Sequence, residues 1–212
     1  MITDLLIDVD GTLVDTKNIF FVSLNETLRK FGQPETDDPA LFGMSVDQVL
    51  KKLKIHMIDG IKEEWERNFG NKSTAAGFYP KIALMMKILS ESGIRIYVIT
   101  SRNHSTVDSI CENSELSPYI IGCIAAEDTE RHKPDPAPIL KAVEKFELRQ
   151  ESVIYIGDTY QDYQASAAAN IRFAFAGWNT DAERRDYELI FDDPLEAAYM
   201  IERENNERYK SE

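Results

Sequence analysis

Apolar residues along this chain gather into short runs rich in Ile, Val, Tyr and Phe, at positions 5–9, 94–100, 120–125, 153–156 and 173–176. Each run is too short for a helix and most are bounded by turn residues, which predicts buried strands. Between most of them the apolar positions recur with helical period, over 82–91, 105–113, 137–146 and 161–169. Strand alternating with helix is the pattern of a parallel sheet covered on both faces, so the expected class is α/β with a doubly wound parallel sheet. Residues 15–78 break the alternation. They contain no strand-like run and carry helical patterns at 19–31, 46–53 and 58–69. This stretch is expected to form a helical insertion after the first strand, dividing the chain into a sheet domain, 1–14 and 79–212, and a helical domain, 15–78. The tail beyond Met200 reads as a fraying helix end.

Composition narrows the setting. With 212 residues, 43% hydrophobic and 29% charged, the chain is long enough for a substantial core and needs no disulfide staples. Its net charge of −13 disfavours a polyanion held by general electrostatics, so no nucleic-acid partner is expected. That charge is unevenly spread, because residues 16–78 balance nine basic against nine acidic side chains and the remainder carries the whole excess. Cys111 and Cys123 lie in no Cys/His cluster and read as core thiols, which fits a cytoplasmic protein. No apolar run nears the roughly 18 residues of a membrane helix and the first residues lack signal-peptide order, so no membrane association is expected.

Four segments carry candidate chemistry. In Asp8-Val9-Asp10-Gly11-Thr12, ending the first strand, positions i and i+2 of a strand would put both carboxylates on one side, with Gly11 allowing a sharp exit. Such a pair asks for a cation, and all-oxygen ligands suit Mg²⁺. Thr100-Ser101-Arg102 closes the strand at 94–100 ahead of a helix, where hydroxyls and N–H groups receive anions, although Ser and Thr also cap helices with no ligand. Lys133 lies in Lys133-Pro134-Asp135-Pro136, with Asp135 a plausible N-cap and Pro136 a first helical residue. Gly157-Asp158-Thr159-Tyr160-Gln161-Asp162 adds two acids where a parallel sheet keeps its ligand crevice.

Asp8-x-Asp10-Gly-Thr, Thr100, Lys133-Pro-x-Pro and Gly-Asp158-x-x-x-Asp162, in this order, resemble the four motifs of the haloacid dehalogenase superfamily in its phosphatase branch, nearest by pattern to phosphoglycolate phosphatase-like proteins. The resemblance spans nearly the whole chain, with Asp15-Thr16 similar to the opening of that family's helical cap and Ala176-Gly177-Trp178-Asn179 to its post-motif loop. Departures are Ile7 where Phe is usual, and Lys81 and Asn170 where Gly is usual. The resemblance implies a Rossmann-like core and a phosphoric monoester hydrolase acting on a small phosphorylated metabolite as monomer or homodimer. It implies Asp8 as nucleophile, Asp10 as acid and base, and Thr100 and Lys133 as stabilisers of the transferring group. Gly11, Thr12, Ser101 and Arg102 are the implied phosphate contacts. Asp8, Asp10 (through its carbonyl), Asp158 and Asp162 are the implied surroundings of Mg²⁺, Asp162 by orienting Lys133 or a metal-bound water. A phosphomutase of the same superfamily, or a non-catalytic phospho-ligand-binding protein on this scaffold, would share these motifs.

Overall fold

The computed structural model describes residues 1–55, 58–73, 75–112 and 114–209. The expected helix at 105–113 and the expected tail thus each end on positions outside the described residues, 113 and 210–212, as do 56, 57 and 74 of the insertion. The five predicted strands are present as β1 (Asp4–Ile7), β2 (Arg95–Ile99), β3 (Ile120–Ile124), β4 (Val153–Gly157) and β5 (Arg172–Ala176), joined by a sixth, β6 (Ile190–Phe191), whose two residues are too few to leave a pattern. All neighbours pair in parallel in the order β3-β2-β1-β4-β5-β6. The winding reverses between β1 and β4, and in open sheets of this kind that switch point is where ligands bind.

Alternate residues of each strand feed opposite apolar layers. Leu5, Ile7, Ile96, Val98, Ile154 and Ile156 pack on one side, against α4 (Ile82–Glu91), α5 (His104–Cys111) and α8 (Pro194–Tyr209). Leu6, Tyr97, Ile99, Val153 and Tyr155 pack on the other, against α6 (Ala137–Lys145) and α7 (Tyr160–Ala168). The tail departs from expectation. Rather than fraying, α8 is pinned to the chain start by Asn205, which accepts the N–H of Ile2 at 2.7 Å and donates to its carbonyl at 2.7 Å. Lys81 and Asn170 take φ of 69° and 55°, so both stand in the left-handed region that favours glycine. Among the described residues no helix is long and apolar enough to cross a membrane.

Between β1 and α4 lie α1 (Lys17–Lys30), α2 (Val46–Lys52) and α3 (Ile61–Ser73). Ser45 starts α2 through a reciprocal capping box with Gln48, which satisfies two otherwise orphaned N–H groups. The three helices close around an apolar cluster of their own, centred on Phe20, Leu24, Leu28, Phe42, Val49 and Trp65. Chain entry and exit run side by side, with Val14 bridged to Phe78 and the N–H of Tyr79 bonded to the Leu13 carbonyl at 3.0 Å.

One packing contact on the sheet offers a test of this core. A Cβ on Gly122 would lie 2.6 Å from the Phe146 ring, which is itself stacked on Tyr97 at 4.5 Å. Gly122→Ala should therefore destabilise the fold by about 1–3 kcal/mol through overpacking. Calorimetric unfolding checks this, and an unchanged Tm would mean that Phe146 gives way without cost.

Candidate active site

β1 and β4 run in register, Ile7 beside Ile156, so the residues that follow them emerge together at the carboxyl edge. Asp8 continues the ladder, donating its N–H to the Ile156 carbonyl at 3.0 Å. The strand itself has ended at Ile7, and the chain turns at once: the Val9 carbonyl accepts the N–H groups of Thr12, Leu13 and Val14 at 3.2, 2.9 and 3.0 Å. The spacing had placed Asp8 and Asp10 on one side of a strand, but each finds its own partner, Asp8 bonding Lys133 and Asp10 bonding Arg102. Gly11 sits at φ 84° in this turn, and a Cβ there would fall 2.1 Å from Asp158 Oδ2. Only glycine lets the turn press against that carboxylate.

Asp158 is 3% exposed and held from two sides. The Thr12 hydroxyl donates to its Oδ1 at 3.1 Å and the Asn179 amide to its Oδ2 at 2.9 Å. Gly11 and Thr12 were expected as phosphate contacts; in this structure their N–H groups bond the carbonyls of Val14 and Val9 within the turn. What these two residues do here is place Asp158.

Lys133 comes from the loop before α6. The N-cap of α6 falls on Pro136 rather than on Asp135 as expected, because the helix begins one residue later, at Ala137; Asp135 still accepts the Ala137 N–H at 2.9 Å from just outside the helix. The Lys133 ammonium is buried and donates to Asp8 at 2.8 Å, Asp162 at 2.6 Å and the Tyr155 hydroxyl at 3.1 Å. Asp162 has two tasks. Its Oδ2 accepts the Thr159 N–H at 3.1 Å in the capping box of α7, and its Oδ1 accepts the Tyr155 hydroxyl at 2.8 Å beside Lys133. Both of its oxygens are thus engaged by protein donors.

Asp8, Asp158 and Asp162 bring carboxylate oxygens within 4.8 Å of one another, with one ammonium among them. Three buried carboxylates against one buried cation leave an excess of two negative charges. Burial pushes Asp8 up to about 7, with Lys133 opposing and Asp162 adding to the rise. Asp158 goes well above its ordinary value, through burial and then through Asp162 and Asp8. Burial works against the charge of Lys133, yet Asp162 and Asp8 together hold its ammonium well above the usual lysine range. A cluster short of two positive charges and offering only oxygen donors fits a divalent cation of the Mg²⁺ type.

Asp10 stands outside this group. Its carboxylate is clasped by Arg102, Nε to Oδ2 at 2.9 Å and Nη2 to Oδ1 at 2.7 Å, and also accepts the Thr16 hydroxyl. Although burial opposes it, the guanidinium holds Asp10 below the ordinary carboxylate range. Arg102, expected to contact phosphate, is thus engaged by Asp10, by Ser73 at 3.4 Å and by the Phe69 ring at 4.9 Å. The Thr100 hydroxyl accepts the Arg102 N–H at 3.1 Å, which leaves its own proton available. Ser101 donates its hydroxyl to the Gly43 carbonyl at 3.0 Å, tying the helical unit to the sheet edge. Tyr155 had escaped the sequence reading, because a tyrosine in a buried strand looks structural, and Thr16 had been noted only as part of the cap opening, without a contact to Asp10. Asn179 lay in a noted loop, at the carboxyl end of β5, without a role.

A family model described as haloacid dehalogenase-like hydrolase matches residues 5–176. A phosphoglycolate phosphatase of Nitrosospira multiformis is 25% identical over 209 residues, covering 92% of this chain and 91% of that one. A pyrophosphatase PpaX of Bacillus cereus is 23% identical over 181 residues, covering 84% of each. A crystal structure from Lactobacillus plantarum, 28% identical, superposes with a TM-score of 0.82 and covers 93% of this chain and 98% of its own.

The charge excess predicts linkage between pH and a cation. Asp8 and Asp158 have raised pKa values when folded, so in the absence of a cation stability is lost as pH climbs from about 4, where an unfolded carboxyl titrates, through the folded values. Mg²⁺ added to chelator-stripped protein should raise Tm by roughly 5–10 °C at a hundred times its Kd. The shift should be larger at pH 8 than at pH 5, where protons compete for the same oxygens. Thermal scans at both pH values check this, and an equal or larger shift at pH 5 contradicts it.

Proposed function

The chain belongs to the haloacid dehalogenase-like hydrolase family, and we propose that it is a Mg²⁺-dependent phosphatase acting on a small phosphorylated metabolite through an aspartyl-phosphate on Asp8. The observation that carries this reading is the buried Asp8 carboxylate at the switch point, 2.8 Å from Lys133, in a cluster two positive charges short. The names of the relatives, a phosphoglycolate phosphatase and a pyrophosphatase, support the reaction class.

Asp8 attacks phosphorus in line with the ester oxygen, forming an acyl phosphate while the P–O bond to the alcohol breaks. Asp10 gives its proton to the departing oxygen and later takes one from the water that cleaves the acyl phosphate. In the arrangement seen, Arg102 keeps Asp10 ionised, the form suited to taking that proton, and donation needs Asp10 freed from this clasp. Lys133, oriented by Asp162 and Tyr155, places its positive charge beside the reacting oxygens, and the Thr100 hydroxyl adds a donor. A Mg²⁺ held by Asp8, Asp158 and the Asp10 carbonyl would screen the nucleophile from the phosphate dianion.

Residues 15–78 act as a cap in this reading, turning on the two crossings at 14–16 and 77–80. Their separate apolar cluster and the pairing of entry with exit support such a unit.

Asp8→Asn should abolish turnover and leave no phosphorylated protein detectable by intact-mass spectrometry. Asp10→Asn should lose roughly 10²–10⁴ in rate on an alkyl phosphate. On p-nitrophenyl phosphate, whose leaving group hardly needs a proton, the Asp10 variant should still accumulate the acyl phosphate. Equal loss of phosphorylation in both variants on both kinds of ester would remove Asp10 from acid and base chemistry.

A further inference from the structure

Between the helical unit and the sheet edge lies a cavity of about 560 Å³ that opens onto Asp10, Ser101 and Arg102, which in the phosphatase reading is where the alcohol half of the ester must lie. A space of this size takes a ligand well beyond a few atoms. Phe20, Phe42, Trp65 and Phe69 form its wall on the helical side. These rings also belong to the cluster that holds α1–α3 together, so their packing sets the shape of the wall.

The charged lining is one-sided. Five carboxylates face the cavity, from Asp10, Asp47, Glu66, Glu127 and Glu130, against the two cations Lys62 and Arg102 and the imidazole of His132. Both cations are already matched. Lys62 donates to the two oxygens of Asp47 at 2.9 and 2.8 Å, and Arg102 clasps Asp10 at 2.9 and 2.7 Å. Among the described residues, no ion pair reaches Glu66, Glu127 or Glu130, and Glu127 accepts only the backbone N–H of His104, at 3.2 and 3.1 Å. Glu66 is pushed up by burial and, against Lys62, by Asp47 and Glu127. A second anionic group on the alcohol would meet these carboxylates with no uncommitted lysine or arginine to receive it.

We propose that this site selects phosphate monoesters whose alcohol carries no second anion and presents an ammonium or other hydrogen-bond donor to Glu66, Glu127 and Glu130 from an apolar body on the aromatic wall. The inference rests on the phosphatase reading and divides the chain from its relatives, since glycolate and phosphate, the leaving groups that their names imply, are both anionic. The attraction is that of donors and cations for the half-buried Glu66 and the more exposed Glu127 and Glu130 at the cavity edge, reinforced by aromatic faces that favour cations.

The experiment compares 2-aminoethyl phosphate with phosphoglycolate, esters of similar size whose alcohols carry opposite charge, on the full chain with Mg²⁺. Hydrolysis of p-nitrophenyl phosphate reports the underlying phosphatase reading on its own, and its absence would end that reading. Selectivity is read separately, as kcat/KM and as calorimetric affinity on the Asp8→Asn protein, which needs no turnover. The 2-aminoethyl ester should be favoured at least tenfold by both measures, and pyrophosphate should fall with phosphoglycolate. Glu66→Gln combined with Glu127→Gln should cut the preference at least threefold. Equal or better use or binding of phosphoglycolate, or a preference unmoved by the double substitution, overturns the proposal.

Discussion

The ammonium of Lys133, buried between Asp8 and Asp162, is the interaction on which the rest of this edge of the molecule depends. Removing one member of such a buried pair costs about 3–5 kcal/mol, because the other charge is left without water or partner. Each neighbour is therefore committed. Asp162 faces Lys133 from the first turn of α7, where its capping box with the N-cap Thr159 turns its carboxylate back over the helix start. Tyr155 reaches both partners from within β4, and Gly157 leaves the room, since a Cβ there would fall 2.7 Å from the Asp162 carboxyl carbon. The position of the lysine is decided by the start of α6. Two strands and two helix termini thus converge on one charge.

The helical unit touches the site at the points where charge is handled. Gln48 donates to the Lys133 carbonyl at 2.9 Å, Ser101 bonds Gly43, and Phe69 and Ser73 of α3 seat the guanidinium that clasps Asp10. Thr16, where the chain enters the helices, holds the same carboxylate. Any displacement of these helices changes what Asp10 is bonded to, while the direct contacts of Asp8 with Lys133 lie wholly within the sheet domain. In the proposed mechanism the nucleophile would stay fixed, while the proposed proton carrier would be tied to the part proposed to move.

The sheet was legible because parallel strands are buried on both faces, and five short Ile- and Val-rich runs have no competing helical period. The segments that follow β1, β2 and β4 were legible for the same reason, since polar residues directly after a buried strand have few structural excuses, whereas Lys133, in the loop before α6, was legible only through its place in the order of motifs. What could not be read was side-chain direction. Asp8 and Asp10 look equivalent in the sequence, and Arg102 looks like a free cation beside an anion site. Their partnership is made by a turn after a strand that ends two residues earlier than the apolar run implies and by a helix, α3, brought in from some thirty residues upstream of Arg102. Asn205, in a tail with every sign of fraying, was hidden because its partners are the backbone atoms of Ile2.

That turn has a chemical consequence. Had β1 continued through Asp10, the two carboxylates would have shared one site, and their titrations would have been set by mutual repulsion rather than by separate partners. Instead Asp8 is pushed up to about 7 by burial, whereas Asp10, two residues on, is held low by Arg102. Pairs of acids whose surroundings drive them apart are how one site assigns different tasks to the same functional group. Here the division is made by a single backbone feature, the Val9 carbonyl gathering three N–H groups, and that gathering is possible because Gly11 can lie against Asp158 where a side chain cannot.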